Sequence, residues 1–273
     1  MSFETLFYAI FGWCVGGLIN YAADTLPGRS GLGKAPACPR EACGMPRAPA
    51  AWSAVVGYLS GRRVCPGCGA PRPMRCVLVE VAAPLMFVGL LWRYGLSPQL
   101  GLLSLYGAVL ILVTVIDMEH RLIQHVVMAP AILVAAAGGF FNQDMTAQQA
   151  LWGGVAGLVT LYGMYLLAGP VSRLMGRLAH REITEVPFGF GDVTLGTFVG
   201  LITGLPGIFL ALLITILSAG VVAGLLIVGR VVIPHRGRYS VGTAIPYGPF
   251  LALGGFIMMV FGPEILRWYV GRG

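Results

Sequence analysis

Gln99–Ile116 reads QLGLLSLYGAVLILVTVI, 18 residues without an Asp, Glu, Lys or Arg. A bilayer-spanning helix needs about 20 mostly apolar residues, within a range of about 17–25. The stretch is long enough to span, and it runs straight into Asp117-Met118-Glu119-His120-Arg121, where polarity returns. Outward from it the pattern repeats at Phe3–Ala23, Val77–Trp92, Val126–Phe141, Leu151–Ala168 and Thr243–Phe261. Pro187–Val228 is too long for a single span, and Thr203-Gly204-Leu205-Pro206-Gly207 divides it in two. The expectation is an all-α polytopic membrane protein of about eight transmembrane helices. Phe3–Ala23 has neither a basic start nor a small-residue cleavage site, so it reads as a retained helix rather than a signal peptide.

The composition agrees. Of 273 residues, 57% are hydrophobic and 11% charged, where ordinary soluble domains carry about 25% charge. Those values exclude a soluble enzyme and a disordered chain. The 40 glycines follow no three-residue period, which excludes collagen. The net charge of +7 is explained by where the cations lie. The polar, Pro- and Gly-rich connection Asp24–Cys76 holds eight: Arg29, Lys34, Arg40, Arg47, Arg62, Arg63, Arg72 and Arg75. Alternation of the spans puts Arg121, then Arg173, Arg177 and Arg181, then Arg230, Arg236 and Arg238 on the same side. Only Arg93, Arg267 and Arg272 fall opposite. Lys and Arg collect in cytoplasmic connections. The large loop is therefore expected in the cytoplasm and both termini outside. Anionic lipid headgroups suit the basic balance, and nucleic acid is not called for. The chain divides into a first transmembrane helix, residues 1–23, a cytoplasmic loop, 24–76, and a membrane core, 77–273.

Acids beside apolar spans are informative because an ionisable group at membrane depth is costly. Asp117 ends one span. Asp192 follows Phe188-Gly189-Phe190-Gly191 at the start of another. The topology brings both to the cytoplasmic face. Two carboxylates in a poorly solvated cleft do not both ionise easily, so one keeps a proton and the other is a base. That pair could add water to a peptide bond without a covalent intermediate. Gly189 and Gly191 lack a Cβ, tolerate positive φ and let backbone approach a substrate or a helix closely. The bland alternative is that each acid anchors a helix end, Asp117 pairing with Arg121 one turn on.

Four of the six cysteines fall in the large loop, as Cys38-Pro39-Arg40-Glu41-Ala42-Cys43 and Cys65-Pro66-Gly67-Cys68. Both spacings occur in structural zinc sites, and a reducing cytoplasmic loop favours metal over disulfide. Four thiolates leave no open position, so zinc here would be structural and would fold a loop too polar to build its own core. The alternative is four unligated or redox-active thiols. Cys14 and Cys76 stand apart and read as small apolar residues.

Gly189-Phe190-Gly191-Asp192 resembles the Gly-x-Gly-Asp signature of membrane aspartyl proteases, and the order of the other motifs resembles the type IV prepilin peptidases. These are Gly16-Gly17-Leu18-Ile19-Asn20 with Leu26-Pro27, then Leu78-Val79-Glu80, then Ile116–Ile123, then Ile245-Pro246-Tyr247-Gly248-Pro249-Phe250-Leu251-Ala252-Leu253-Gly254. The sequence departs from the family pattern in its four-residue first cysteine spacing. It also has Ile123-Gln124 where Ile-Pro is usual, and Thr25 where Arg is common. The resemblance implies a bacterial inner-membrane enzyme with catalytic Asp117 and Asp192. It would cleave the leader of prepilins and pseudopilins, the substrates of type IV pilus and type II secretion systems. Members with a two-pair cysteine loop also N-methylate the new terminus with S-adenosylmethionine. That makes Glu80 a candidate for methyl transfer, although a helix-dipole contact explains it equally.

Two other functions fit parts of the pattern. A proton-coupled transporter would use Asp117 and Asp192, though near the midplane and with an internal repeat. A peptidase without methyl transfer is the second. The pairs Gly12/Gly16, Gly153/Gly157, Gly196/Gly200 and Gly220/Gly224 are expected to be close helix contacts, and His120 a solvated boundary residue.

Overall fold

Serines start three of the helices, and residues of positive φ end others. Ser2 Oγ accepts from Thr5 N at 3.4 Å, and Ser97 Oγ accepts from Leu100 N at 3.2 Å with Pro98 behind it. Such caps satisfy amides that a helix start leaves open. Gly95 (φ 60°) and Arg121 (φ 52°) turn the chain out of the helices that precede them. The computed structural model describes residues 2–27, 36–38, 43–47, 52–178, 188–232 and 246–271. Within them the helices are α1 Phe3–Thr25, α2 Ala54–Leu59, α3 Met74–Tyr94, α4 Pro98–His120, α5 His125–Gly138, α6 Ala147–Leu178, α7 Phe190–Thr203, α8 Gly207–Val232 and α9 Gly248–Val270. Arg29, Lys34, Arg40, Arg181, Arg236, Arg238 and Arg272 lie outside the described residues, as do Pro187 and Thr243–Ile245 at the edges of two expected spans.

The all-helical, multi-span architecture is as expected, with a difference in length. Six helices are long and apolar enough to cross a bilayer: Phe3–Thr25, Met74–Tyr94, Pro98–His120, Ala147–Arg173, Gly207–Gly229 and Gly248–Tyr269. α5 and α7 are apolar but have 14 residues each. At 1.5 Å per residue such a helix is about 21 Å long, against a hydrocarbon core of about 30 Å. The apolar run overstated α5 because residues 139–141 leave the helix as a turn.

Two compact units divide the chain, Met1–Gln124 and His125–Gly273. In the first, α1, α3 and α4 pack together and α2 lies on α3. A Cβ on Gly12 would come 2.7 Å from Pro84 Cα, and one on Gly16 would come 3.0 Å from Glu80 Cα. In the second, α7 packs against α5, α6, α8 and α9, and Val193, Leu195, Phe198 and Val199 on it are fully buried. Gly153 and Gly157 of α6 meet Gly200 and Gly196 of α7 main chain to main chain. These close contacts match the spacing argument. Gly220 and Gly224 do not, because nothing lies within 4 Å of a Cβ at either. Their spacing is met on a face of α8 that carries exposed Leu217, Val221 and Leu225, the composition of a lipid-facing surface.

Gly157→Leu should therefore destabilise the protein by about 3 kcal/mol, since the added side chain must displace backbone. Gly220→Leu should not. Thermal unfolding in detergent should show a lowered Tm for the first variant alone.

Candidate functional site

Two antiparallel bridges bring the four loop cysteines together. Ala37 bridges Pro46 and Val64 bridges Pro71, each antiparallel. Cys38 N donates to Met45 O at 2.9 Å, and Cys65 N donates to Ala70 O at 2.9 Å. Gly44 (φ 53°) and Gly69 (φ 66°) take the left-handed conformation that the two turns require. A Cβ on Gly67 would come 3.3 Å from Cys43 Sγ, so the glycine lets the two turns close on each other. Cys38 Sγ and Cys68 Sγ are 3.7 Å apart, as are Cys43 Sγ and Cys65 Sγ, and all four sulfurs lie within 4.8 Å of one another. A tetrahedral ion with metal–sulfur bonds of about 2.3 Å needs sulfurs about 3.8 Å apart, so the cluster fits a metal. The longer first spacing is no obstacle to this geometry. The backbone N–H groups of Cys68 and then Gly67 pull the Cys65 thiol down to about 6. Cys14 and Cys76 are not part of the cluster.

Asp117 sits in the last turn of α4 and is buried. Val115 and Ile116 beside it pack with Ile19, Ala23 and Val79 of α1 and α3. The helix ends three residues later without the proline usual in the resembled family: Arg121 N donates to Asp117 O at 2.9 Å from its left-handed conformation. At the same end of the unit, Arg75 bridges Asp24 and Glu119, and Arg47 lies 3.8 Å from Asp24. His120 is partly exposed, 4.0 Å from Glu119, as a boundary residue would be.

Asp192 lies in the first turn of α7, in the second unit. Its Oδ2 accepts from Gly189 N at 3.0 Å, closing the helix start. Gly189 is extended there, with φ −99° and ψ 158°, and Gly191 is helical. Neither uses the positive φ that sequence reasoning offered for it, and a Cβ on Gly189 would have ordinary contacts, 3.7 Å to Asp192 Oδ2. Aromatic rings surround this turn. Phe188 packs on Tyr247 at 5.5 Å, and Phe190 packs on His125 at 5.7 Å and Tyr165 at 6.0 Å. Burial, and next the charge of Asp192, push the Tyr247 phenol up to about 12. Sequence reasoning quoted Tyr247 only within a motif; a lone tyrosine between two prolines gives no sign of which acid it faces.

Glu80 is not at the start of its own helix. It is the seventh residue of α3, 1% exposed, and its carboxylate faces another helix altogether. Oε1 accepts from Ala54 N at 2.7 Å and Asn20 Nδ2 at 3.4 Å, and Oε2 from Ser53 Oγ at 2.5 Å, Val55 N at 3.0 Å and Trp13 Nε1 at 3.3 Å.

Long apolar helices in two units with a metal-competent thiol cluster between the first two spans define a polytopic membrane protein with a folded extramembrane loop. Comparison with known proteins narrows this. Residues 104–224 match the Type IV leader peptidase family, and residues 10–94 match the bacterial peptidase A24 N-terminal domain. The chain is 30% identical to the prepilin leader peptidase/N-methyltransferase of Pseudomonas aeruginosa, over 86% of this chain and 74% of that protein. It is 29% identical to the like-named protein of Stutzerimonas stutzeri, over 81% and 71% of the two, and 31% identical to that of Pseudomonas putida, over 77% and 67%. No solved structure matches the chain. The chain belongs to the type IV prepilin leader peptidase/N-methyltransferase family.

Two outcomes test this geometry. In metal-free protein at pH 7, iodoacetamide should label Cys65 before Cys43, because a lowered thiol is already thiolate and Cys43 is shifted upward. Peptide mass spectrometry reads the order. Asp192→Asn keeps an oxygen for Gly189 N–H and should leave stability near the parent's, whereas Asp192→Ala should lose about 1 kcal/mol with the cap.

Proposed function

We propose that this chain removes the leader peptide of type IV prepilins and pseudopilins by aspartyl catalysis and N-methylates the residue it exposes. The observation that carries this reading is where the family matches fall. Both Asp117 and Asp192 lie within residues 104–224, and all four loop cysteines lie within residues 10–94. The transporter reading has no such support. We assign residues 1–23 to a first anchor, 24–76 to a metal-bound loop associated with methyl transfer, and 77–273 to the peptidase core. The distribution of Lys and Arg supports a bacterial inner-membrane location with the loop in the cytoplasm and both termini outside.

The chemistry follows from the residue types. One aspartate takes a proton from water as it attacks the scissile carbonyl. The other protonates the carbonyl oxygen; the first then passes the proton it took from water to the leaving amine, and the second regains its proton as the diol collapses to the acid. Asp192 is held in place by the hydrogen bond from Gly189 N–H. Cys38, Cys43, Cys65 and Cys68 would hold zinc, whose role is to fold the loop. S-adenosylmethionine would supply the methyl group.

Asp117→Asn and Asp192→Asn should each abolish cleavage of a prepilin in proteoliposomes, since an amide is neither acid nor base here. Normal cleavage by either variant would remove that residue from the site. Zinc should copurify at about one ion per chain, and Cys65→Ser with Cys68→Ser should lose it. Elemental analysis checks both.

A further inference from the structure

We propose that Glu80 is a positioning residue for methyl transfer: it seats α2, and through α2 the four-cysteine module, against α1 and α3. This rests on the assignment of the loop to methyl transfer.

α2 has six residues, too few to hold itself together. Its opening amides are satisfied from outside. Ser53 Oγ accepts from Val56 N at 3.3 Å and donates to Glu80, which also takes Ala54 N and Val55 N. Three of the five donors to Glu80 therefore belong to the loop segment Ser53–Val55. The other two, Trp13 and Asn20, belong to α1. If the carboxylate served only to hold α1 to α3, it would be redundant, because Gly12 and Gly16 already bring those helices into contact.

The seat is also buried. Glu80 is 1% exposed, and Ala54 beside it is fully buried. Buried backbone amides need partners within the protein, and Glu80 supplies them for the first turn of α2.

The opposite side of the segment is tied to the thiol cluster. Arg72 Nη1 donates to Ser53 O at 2.9 Å and Nη2 to Trp52 O at 3.0 Å. Tyr58 OH donates to Arg72 O at 3.1 Å. Arg72 N donates to Arg63 O at 2.8 Å, one step from the Val64–Pro71 bridge that shapes the Cys65–Cys68 turn. A continuous path of hydrogen bonds thus runs from the second cysteine turn through Arg72 and Ser53 to Glu80 on α3.

The test uses full-length protein in proteoliposomes, with Cys14→Ser, Cys76→Ser and Ala54→Cys as a reporter of the seat. Glu80→Gln keeps the side-chain shape but turns an amide donor toward N–H groups. Three results are expected together. The reporter thiol, protected in the parent, becomes reactive to maleimide. Zinc stays bound. Methylation of cleaved pilin falls by about a hundredfold, the scale of a small misplacement of reacting groups, while cleavage stays near the parent's. Glu80→Asp should restore part of the methylation. Arg72→Lys should give the same split, and the double variant should be no worse than the weaker single one, because both act on one path. If Glu80→Gln does not fold, Ser53→Ala removes one link of the path and is read in the same way.

A reactive reporter with normal methylation would overturn the proposal. So would lost methylation with the reporter still protected, which would make Glu80 act on the transfer itself. Absence of methylation by the parent would instead overturn the assignment of the loop, while the reporter still reads the seat.

Discussion

Main chain touches main chain where Gly153 and Gly157 of α6 meet Gly196 and Gly200 of α7. Between spanning helices there is no hydrophobic drive from water, so close packing and hydrogen bonds must hold them. Glycine permits the closest packing available. α7 is too short to cross a bilayer unaided and is enclosed by α5, α6, α8 and α9. Its position is therefore set by its neighbours, and so is the position of its first turn, which carries Asp192. The second unit can be understood as packing that fixes one acid.

The first unit solves a different problem. Its helices close through Gly12 and Gly16, but it must also attach a polar loop that has no core of its own. Two devices do this. The cysteine turns offer a metal four sulfurs at tetrahedral spacing. Glu80 offers a buried anion to the amides of α2. One gathers the loop upon itself, and the other gives it an address on the membrane helices. Membership of the prepilin peptidase family explains why one chain carries both an acid-bearing membrane core and such a loop.

Much of this was legible in the sequence, for physical reasons. Spanning helices betray themselves because lipid demands long apolar runs, and the loop cysteines because thiolate ligands come in close pairs. Gly12/Gly16 and Gly153/Gly157 were legible because small residues four apart lie on one helix face. The same rule misread Gly220/Gly224, since spacing cannot tell a protein-facing stripe from a lipid-facing one. The seat of α2 was illegible because its donors are backbone amides, which every residue possesses. Glu80 was visible as a motif acid and a candidate for methyl transfer, but nothing in the sequence tied it to Ala54, 26 residues away. The helix end at Arg121 was hidden for a similar reason: a left-handed arginine leaves no mark in composition, where a proline would. At Gly189 the residue was singled out for a conformation it does not use, because its extended backbone instead aims an amide at Asp192.

The central claim is that one membrane protein both opens a prepilin's leader bond and methylates the terminus so released. The intact mass of a prepilin expressed with and without this chain tests it most directly. The account predicts a pilin that has lost its leader and gained the mass of one methyl group only when the chain is present. A pilin that keeps its leader in the presence of well-inserted protein would contradict it.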